Sequence, residues 1–240
     1  MKRPVFLRAN WNHLILCNFE VDPGILEPYI PPGTLLDDFQ GKHWVSIVAF
    51  QFEKTKLLGV PAFFHQSFEE INLRFYVKRP DGSGFKRGTV FISEIVPKKL
   101  IPLVANRLYN ENYRFLPMKH HWADEGEMER IRFELKPSHD WNRIEVLAEK
   151  KSRLPLVDSF ESFIVEHYWG YNKIRTHTSL EYGVEHPSWE LSSVKSCIFD
   201  LKIQELYGSS FEKYLNFPPS SVFLARGSDI LIRTPTYFQS

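Results

Sequence analysis

The segment His43-Trp44-Val45-Ser46-Ile47-Val48-Ala49-Phe50-Gln51-Phe52 is apolar at nearly every position. Successive side chains of a strand point to opposite faces, so a half-covered strand alternates apolar with polar residues. A strand without that alternation is covered on both faces, and the fold must supply a layer for each. Residues 68–77 (FEEINLRFYV) do alternate. Ile71, Leu73, Phe75 and Val77 share one face; Glu70, Asn72, Arg74 and Tyr76 share the other. Residues 88–96 (GTVFISEIV) follow across Pro80-Asp81-Gly82-Ser83-Gly84, a turn flanked by Lys78-Arg79 and Lys86-Arg87, and the pair reads as a hairpin. Residues 128–136 and 143–149 read as a second hairpin across Pro137-Ser138-His139-Asp140, residues 11–19 as a first strand, and the regions 180–186, 194–203 and 221–233 as later ones.

Helical signals are fewer. Asp22 can cap a short helix that begins at Pro23 and is stopped by Pro28, Pro31 and Pro32. Over 100–108, Leu100, Leu103, Val104 and Leu108 recur at helical spacing, with Arg107 on the same stripe and Glu111 four residues on. Short helices are expected over 156–166 and 204–215. With 20 Phe, 10 Tyr and 6 Trp the composition favours strands. The expectation is one α+β domain over residues 1–240, mainly an antiparallel sheet, curled or closed, with a few helices at its ends.

A net charge of +1 gives no field to hold a phosphate backbone, so a nucleic-acid partner is not expected. No apolar run is long enough for a membrane span or a secretory signal. Two cysteines, Cys17 and Cys197, fit a reducing compartment, and the cytoplasm is the expected location. No phosphate-cradling glycine loop, Gly-x-Ser-x-Gly elbow, dinucleotide fingerprint or zinc-ligand spacing is present, so neither a metal nor a cofactor is expected.

Three stretches carry a resemblance: residues 11–50 (WNHLILCNFEVDPGILEPYIPPGTLLDDFQGKHWVSIVAF), residues 68–77, and residues 93–113 (SEIVPKKLIPLVANRLYNENY), followed by EHYWGY and VEHPSWEL. Together they resemble the YqjF-like family (domain of unknown function 2071), over essentially the whole chain. That family is similar in fold to acetoacetate decarboxylase. The resemblance implies a β-barrel with peripheral helices around a small, mostly apolar cavity, and a small-molecule ligand. In acetoacetate decarboxylase a Pro-Lys-Lys-Leu motif carries a lysine that forms a Schiff base with a keto acid, and its neighbour lowers that lysine's pKa. Pro97-Lys98-Lys99-Leu100 matches the motif. Glu70 resembles the glutamate that orders the decarboxylase pocket. Asn12 stands where an arginine for the substrate carboxylate is expected.

An amine attacks a carbonyl only when unprotonated, and an apolar pocket or a neighbouring cation provides that state. Lys98, Lys99 and Glu70 are therefore the candidate catalytic set, and Asn72, Arg74, Glu94, Arg107 and His167 the candidate substrate-binding set. The competing reading of Lys98 and Lys99 is a solvated corner. That of Glu94 is an ion network with Arg74 or Arg107. His167 can be an acid–base group or a packing residue. The leading functional expectation is a lyase acting on a keto acid or related carbonyl compound through Lys98. The alternatives are a non-catalytic binder, and an enzyme of another class using Glu70, Arg74 and His167. The edge strands and the aromatic C-terminal third can support a homodimer.

Overall fold

The computed structural model describes residues 3–82, 84–101 and 112–239. Most of the helix expected over 100–108, Arg107 included, lies outside the described residues. Among those described, fifteen strands form one sheet. They are β1 (Val5–Val21), β2 (Leu35–Leu36), β3 (His43–Leu57), β4 (Val60–Pro61), β5 (Phe68–Pro80), β6 (Phe85–Val96), β7 (Tyr113–Phe115), β8 (Met118–Glu125), β9 (Met128–Leu135), β10 (Asn142–Arg153), β11 (Trp169–Arg175), β12 (Thr178–Glu185), β13 (Leu191–Asp200), β14 (Ser221–Arg233) and β15 (Thr236–Gln239). The helices are α1 (Phe160–Val165), α2 (Ile203–Tyr207) and α3 (Ser209–Leu215).

The pairing path β12–β11–β6–β5–β3–β1–β14 returns on itself, because β14 also pairs with β12 at Val184↔Ile232 and Glu185↔Leu231. From β14 the sheet runs on through β13, β10, β9 and β8 as a second wing. Neighbours are antiparallel throughout the path except β11 with β6; β7, off the path, also joins β6 in parallel.

This arrangement explains why β3 lacks alternation. Its Val45, Ile47 and Ala49 join Ile15, Cys17 and Phe19 of β1 and Ile71, Leu73 and Phe75 of β5 in one core. That core is covered by Phe133 of β9, Val146 of β10 and Phe211 of α3. On the opposite face Val48 and Phe50 join Trp11, Leu14 and Phe68 in a second core, closed at one side by Phe163 and Ile164 of α1. Each such large side chain contributes about 1.5–3 kcal/mol when removed from water. β5 is likewise buried on both sides, so the polar face foreseen for Glu70, Asn72 and Arg74 points inward rather than to solvent.

Two bulges set which side chains reach the second core. In β1 the register against β3 slips between Asn12 and Ile15, and His13 takes φ 54°. One extra residue puts both Trp11 and Leu14 on the same side. Opposite them, Gly227 of β14 has φ +80°, and a Cβ there would stand 1.8 Å from the Trp11 carbonyl oxygen. Only glycine permits that approach. In β6 the partner of Leu73 is Ser93 and that of Arg74 is Phe91, so Ile92 is the extra residue. Period-two spacing puts Glu94 with Val90, Ile92 and Val96, of which only Val96 shares its side of the sheet. The bulge instead turns Glu94 and Phe91 to the cavity, while Val90, Ile92 and Ile95 face the first core.

Other sequence expectations need smaller corrections. The turn capped by Asp22, whose carboxylate accepts from the Gly24 N–H at 2.8 Å, is a 3-10 turn over Pro23–Ile25. The helix expected over 156–166 is confined to Phe160–Val165, with Ser159 as its cap. That expected over 204–215 is broken into α2 and α3 by Gly208 at φ +87°. β8 and β11, and the short β2, β4, β7 and β15, were not foreseen. Cys17 and Cys197 are free thiols.

Candidate functional site

A cavity of about 350 Å³ lies on the side of the ring that carries the second core. Most of its wall is apolar, including Trp11, Leu14, Phe50, Phe68 and Phe91. Its charged and amide groups come largely from one place. Glu70, Asn72 and Arg74 stand at every second position of β5, and Glu94 of β6 is the ladder partner of Asn72. Tyr113 of β7 completes the wall, brought there by its parallel pairing with Glu94.

All four β5 and β6 side chains are at most 7% exposed. Ionisable groups that deep must be held by partners, because an isolated buried charge is costly. The Glu70 carboxylate accepts from the Asn72 amide at 2.9 Å on Oε1 and from the Tyr113 hydroxyl at 3.0 Å on Oε2. Arg74 Nη2 donates to the Ile164 carbonyl near the end of α1 at 3.2 Å. Among the described residues, Arg74 Nε and Asn72 Oδ1 have no hydrogen-bond partner. The wall therefore offers a cationic donor and an amide acceptor beside a carboxylate already fixed in orientation. That is a complement for a small polar head such as a carboxylate or carbonyl.

The lysines stand elsewhere. Lys98 is half-buried and Lys99 exposed. Neither is among the described residues lining the cavity, although Leu100 and Ile101, directly after them, are. Lys99 lies over the Phe115 ring, 5.2 Å from its centroid. Lys98 is near Glu69, which points away from Glu70. Burial pushes the Glu69 carboxyl up, but the His120 hydrogen bond at 2.7 Å, a backbone hydrogen bond and the charges of His120 and Lys98 together outweigh it and lower it.

His167 does not line the cavity. It is 6% exposed, stacked on Tyr76 at 4.6 Å and edge-on to Phe163 at 5.9 Å. Burial, then the Arg87 and Arg74 guanidinium groups, hold it well below the usual histidine value. It is a neutral ring packed behind Arg74. Arg107 is outside the described residues. Asn12 donates to Glu53 at 3.0 Å and does not line the cavity. Tyr113 was missed by the sequence reading. It sits in a three-residue strand, too short to show a period.

Among the described residues, no group of three His, Cys, Asp or Glu side chains could hold a metal ion, and no helix is long and apolar enough to cross a membrane.

The fold is similar to that of acetoacetate decarboxylase-like proteins. An acetoacetate decarboxylase-like enzyme from Sphingomonas wittichii RW1 superposes with a TM-score of 0.66 at 12% identity, over 98% of this chain and 93% of that one. The enduracididine biosynthesis enzyme MppR, complexed with pyruvate, superposes with a TM-score of 0.65 at 10% identity, over 99% and 91%. At such identities the likeness is one of fold. Residues 8–229 match the model of the DUF2071 family, described as an uncharacterized conserved protein, and the chain belongs to that family. The uncharacterized protein YqjF of Bacillus subtilis strain 168 is 24% identical over 231 residues, 94% of this chain and 89% of that protein.

Proposed function

We propose that the protein binds a small carbonyl acid in the barrel cavity and catalyses proton transfer at the carbon beside the carbonyl. The observation that carries this is the joint placement of Glu70, Asn72 and Arg74 on one buried wall. In this reading Arg74 anchors a carboxylate or enolate oxygen through its unpartnered Nε. Asn72 orients the head. Glu70, held by Tyr113 and Asn72, moves the proton within a water-poor pocket. A pyruvate complex of a protein with this fold supports the ligand class.

A second reading keeps Lys98 as a Schiff-base nucleophile in a lyase. It is favoured by the half-buried position of Lys98 at the corner that delivers Leu100 and Ile101 to the cavity. One experiment separates the two. The protein is incubated with short 2-oxo and 3-oxo acids in deuterated water, and exchange is followed by proton NMR. A parallel sample is treated with borohydride and its peptides are weighed. Exchange that Glu70→Gln abolishes, with no lysine adduct, supports the first reading. A reduced adduct on Lys98 supports the second. Neither exchange nor adduct in a folded sample refutes catalysis on these compounds.

A further inference from the structure

The cavity is far larger than the head its polar wall fits. At ~30 Å³ per water-sized group, its volume holds roughly a dozen such groups, whereas a three-carbon keto acid fills about four. Its shape is set by the strands. Along β3 the lining runs from Val48 to Leu57, and along β1 from Phe6 to Leu14.

The two ends differ chemically. Val48 is the ladder partner of Asn72, so the polar wall marks one end. Leu57 is the ladder partner of Leu7 and of Val60, so the other end lies under the connection between β3 and β5, where Ala62 and Phe63 line it. Among the described lining residues no carboxylate, lysine or arginine stands at that end; Thr55, His65 and Tyr182 are its polar side chains. Between the ends, Trp11 and Phe68 line the cavity, backed by Phe52, which stacks on Phe68 at 4.5 Å and meets Trp11 edge-on. Apolar side chains are exposed at the far end: Phe63, which lines the cavity, and Leu58 are each 69% exposed and Phe64 91%. Large apolar side chains exposed together in one loop are unusual on a surface that meets only water.

Building on the function proposed above, we infer that the ligand is amphipathic: a carbonyl acid whose head sits at Arg74 and Asn72 and whose aliphatic or aryl tail lies along Phe50, Phe68 and Leu57 toward Phe63. The pocket thus selects medium-length apolar-tailed acids over pyruvate-sized ones. Burying each methylene in such a channel tightens binding about three- to fourfold.

The test is calorimetry of the intact protein with pyruvate, 2-oxohexanoate, 2-oxodecanoate and decanoate. Affinity is expected to rise about three- to fourfold per methylene from pyruvate to 2-oxohexanoate and to rise further with 2-oxodecanoate. Ala62→Trp fills the far end, where Ala62 is only partly buried. It should weaken 2-oxodecanoate at least tenfold and leave 2-oxohexanoate unchanged. Pyruvate binding with affinity flat or falling along the series overturns the tail while leaving the carbonyl reading in place. So does an Ala62→Trp protein that binds 2-oxodecanoate as well as before. Decanoate binding as tightly as 2-oxodecanoate supports the tail and overturns the carbonyl reading. No binding by any of the four overturns both.

Discussion

Replacing Gly227 by alanine tests how the sheet builds the cavity. Gly227 is at φ +80°, and a Cβ there would lie 1.8 Å from the Trp11 carbonyl oxygen, 2.7 Å from its carbonyl carbon and 2.9 Å from a Leu14 methyl. The left-handed backbone costs an alanine about 1–2 kcal/mol. The contact adds more, because its nearest atoms belong to the paired strand. β1 and β14 must separate at Asn12↔Gly227, at a cost of about 1 kcal/mol for each ladder hydrogen bond lost. The sum is roughly 3–5 kcal/mol. For a chain of this size that lowers Tm by about 6–20 °C. Gly126 is the control. It has φ +75°, but nothing lies within 4 Å of its notional Cβ. Gly126→Ala carries the backbone cost alone and should lower Tm by only about 2–8 °C. Trp11 and Leu14 both line the cavity, so Gly227→Ala should also weaken ligand binding, whereas Gly126→Ala should not. Equal melting shifts for the two variants, by calorimetry or circular dichroism, would refute the argument that close strand approach makes glycine obligatory at position 227.

Arg74→Gln removes the cationic donor and should weaken carboxylate ligands roughly 10- to 100-fold while decanol, which lacks the charge, is unaffected; calorimetric titration reads both. Tyr113→Phe takes a donor from Glu70 Oε2 and should cost about 1 kcal/mol of stability, measured by urea unfolding, and shift the pH profile of any exchange activity that Glu70 performs. The Glu69–His120 pair gives a pH signature. His120 is raised above 6.5 because Glu69 accepts its hydrogen bond, so its contribution is complete below pH 6.5 and fades as pH rises through the folded value. Glu69 is lowered below 4.5 despite burial, so its contribution is complete above pH 4.5 and fades as pH falls through the folded value. The Tm loss on His120→Gln should peak between pH 4.5 and 6.5 and shrink on either side. His167 works the other way. Its folded value lies well below 6.5, so the unfolded chain binds the extra proton and stability falls as pH drops below 6.5. In His167→Phe that part of the acid dependence should flatten.

Strand positions were legible where a period of two or an unbroken apolar run spoke clearly. Residues 43–52 and 68–77 became β3 and β5, and the two hairpins formed with the turns expected. Position along a strand was less legible than the strand itself. A bulge inverts the alternation, and nothing in GTVFISEIV marks Ile92 as the extra residue, so Glu94 was grouped with Val90 and Ile92 of the opposite face. The same holds for His13, whose bulge carries no glycine of its own; the glycine that permits it is Gly227, far along the chain on the paired strand. Closure of the path through Val184↔Ile232 is a long-range pairing that local pattern does not encode. At the site, the β5 face was readable because three polar residues stood at period two in an otherwise apolar strand. Which way that face pointed was not, since it depends on what the other strands enclose. Tyr113 and the exposed Phe63 and Phe64 lie in segments with no period to read.

The central claim is that Glu70, Asn72 and Arg74 form the head-binding wall of a ligand cavity. The most direct measurement is a crystal structure of the protein with 2-oxohexanoate. The account predicts the ligand inside the cavity, its carboxylate or ketone oxygen within hydrogen-bonding distance of Arg74 and its chain directed past Phe50 toward Phe63. A ligand bound elsewhere, or one in the cavity with its head away from Arg74 and Asn72, would contradict it.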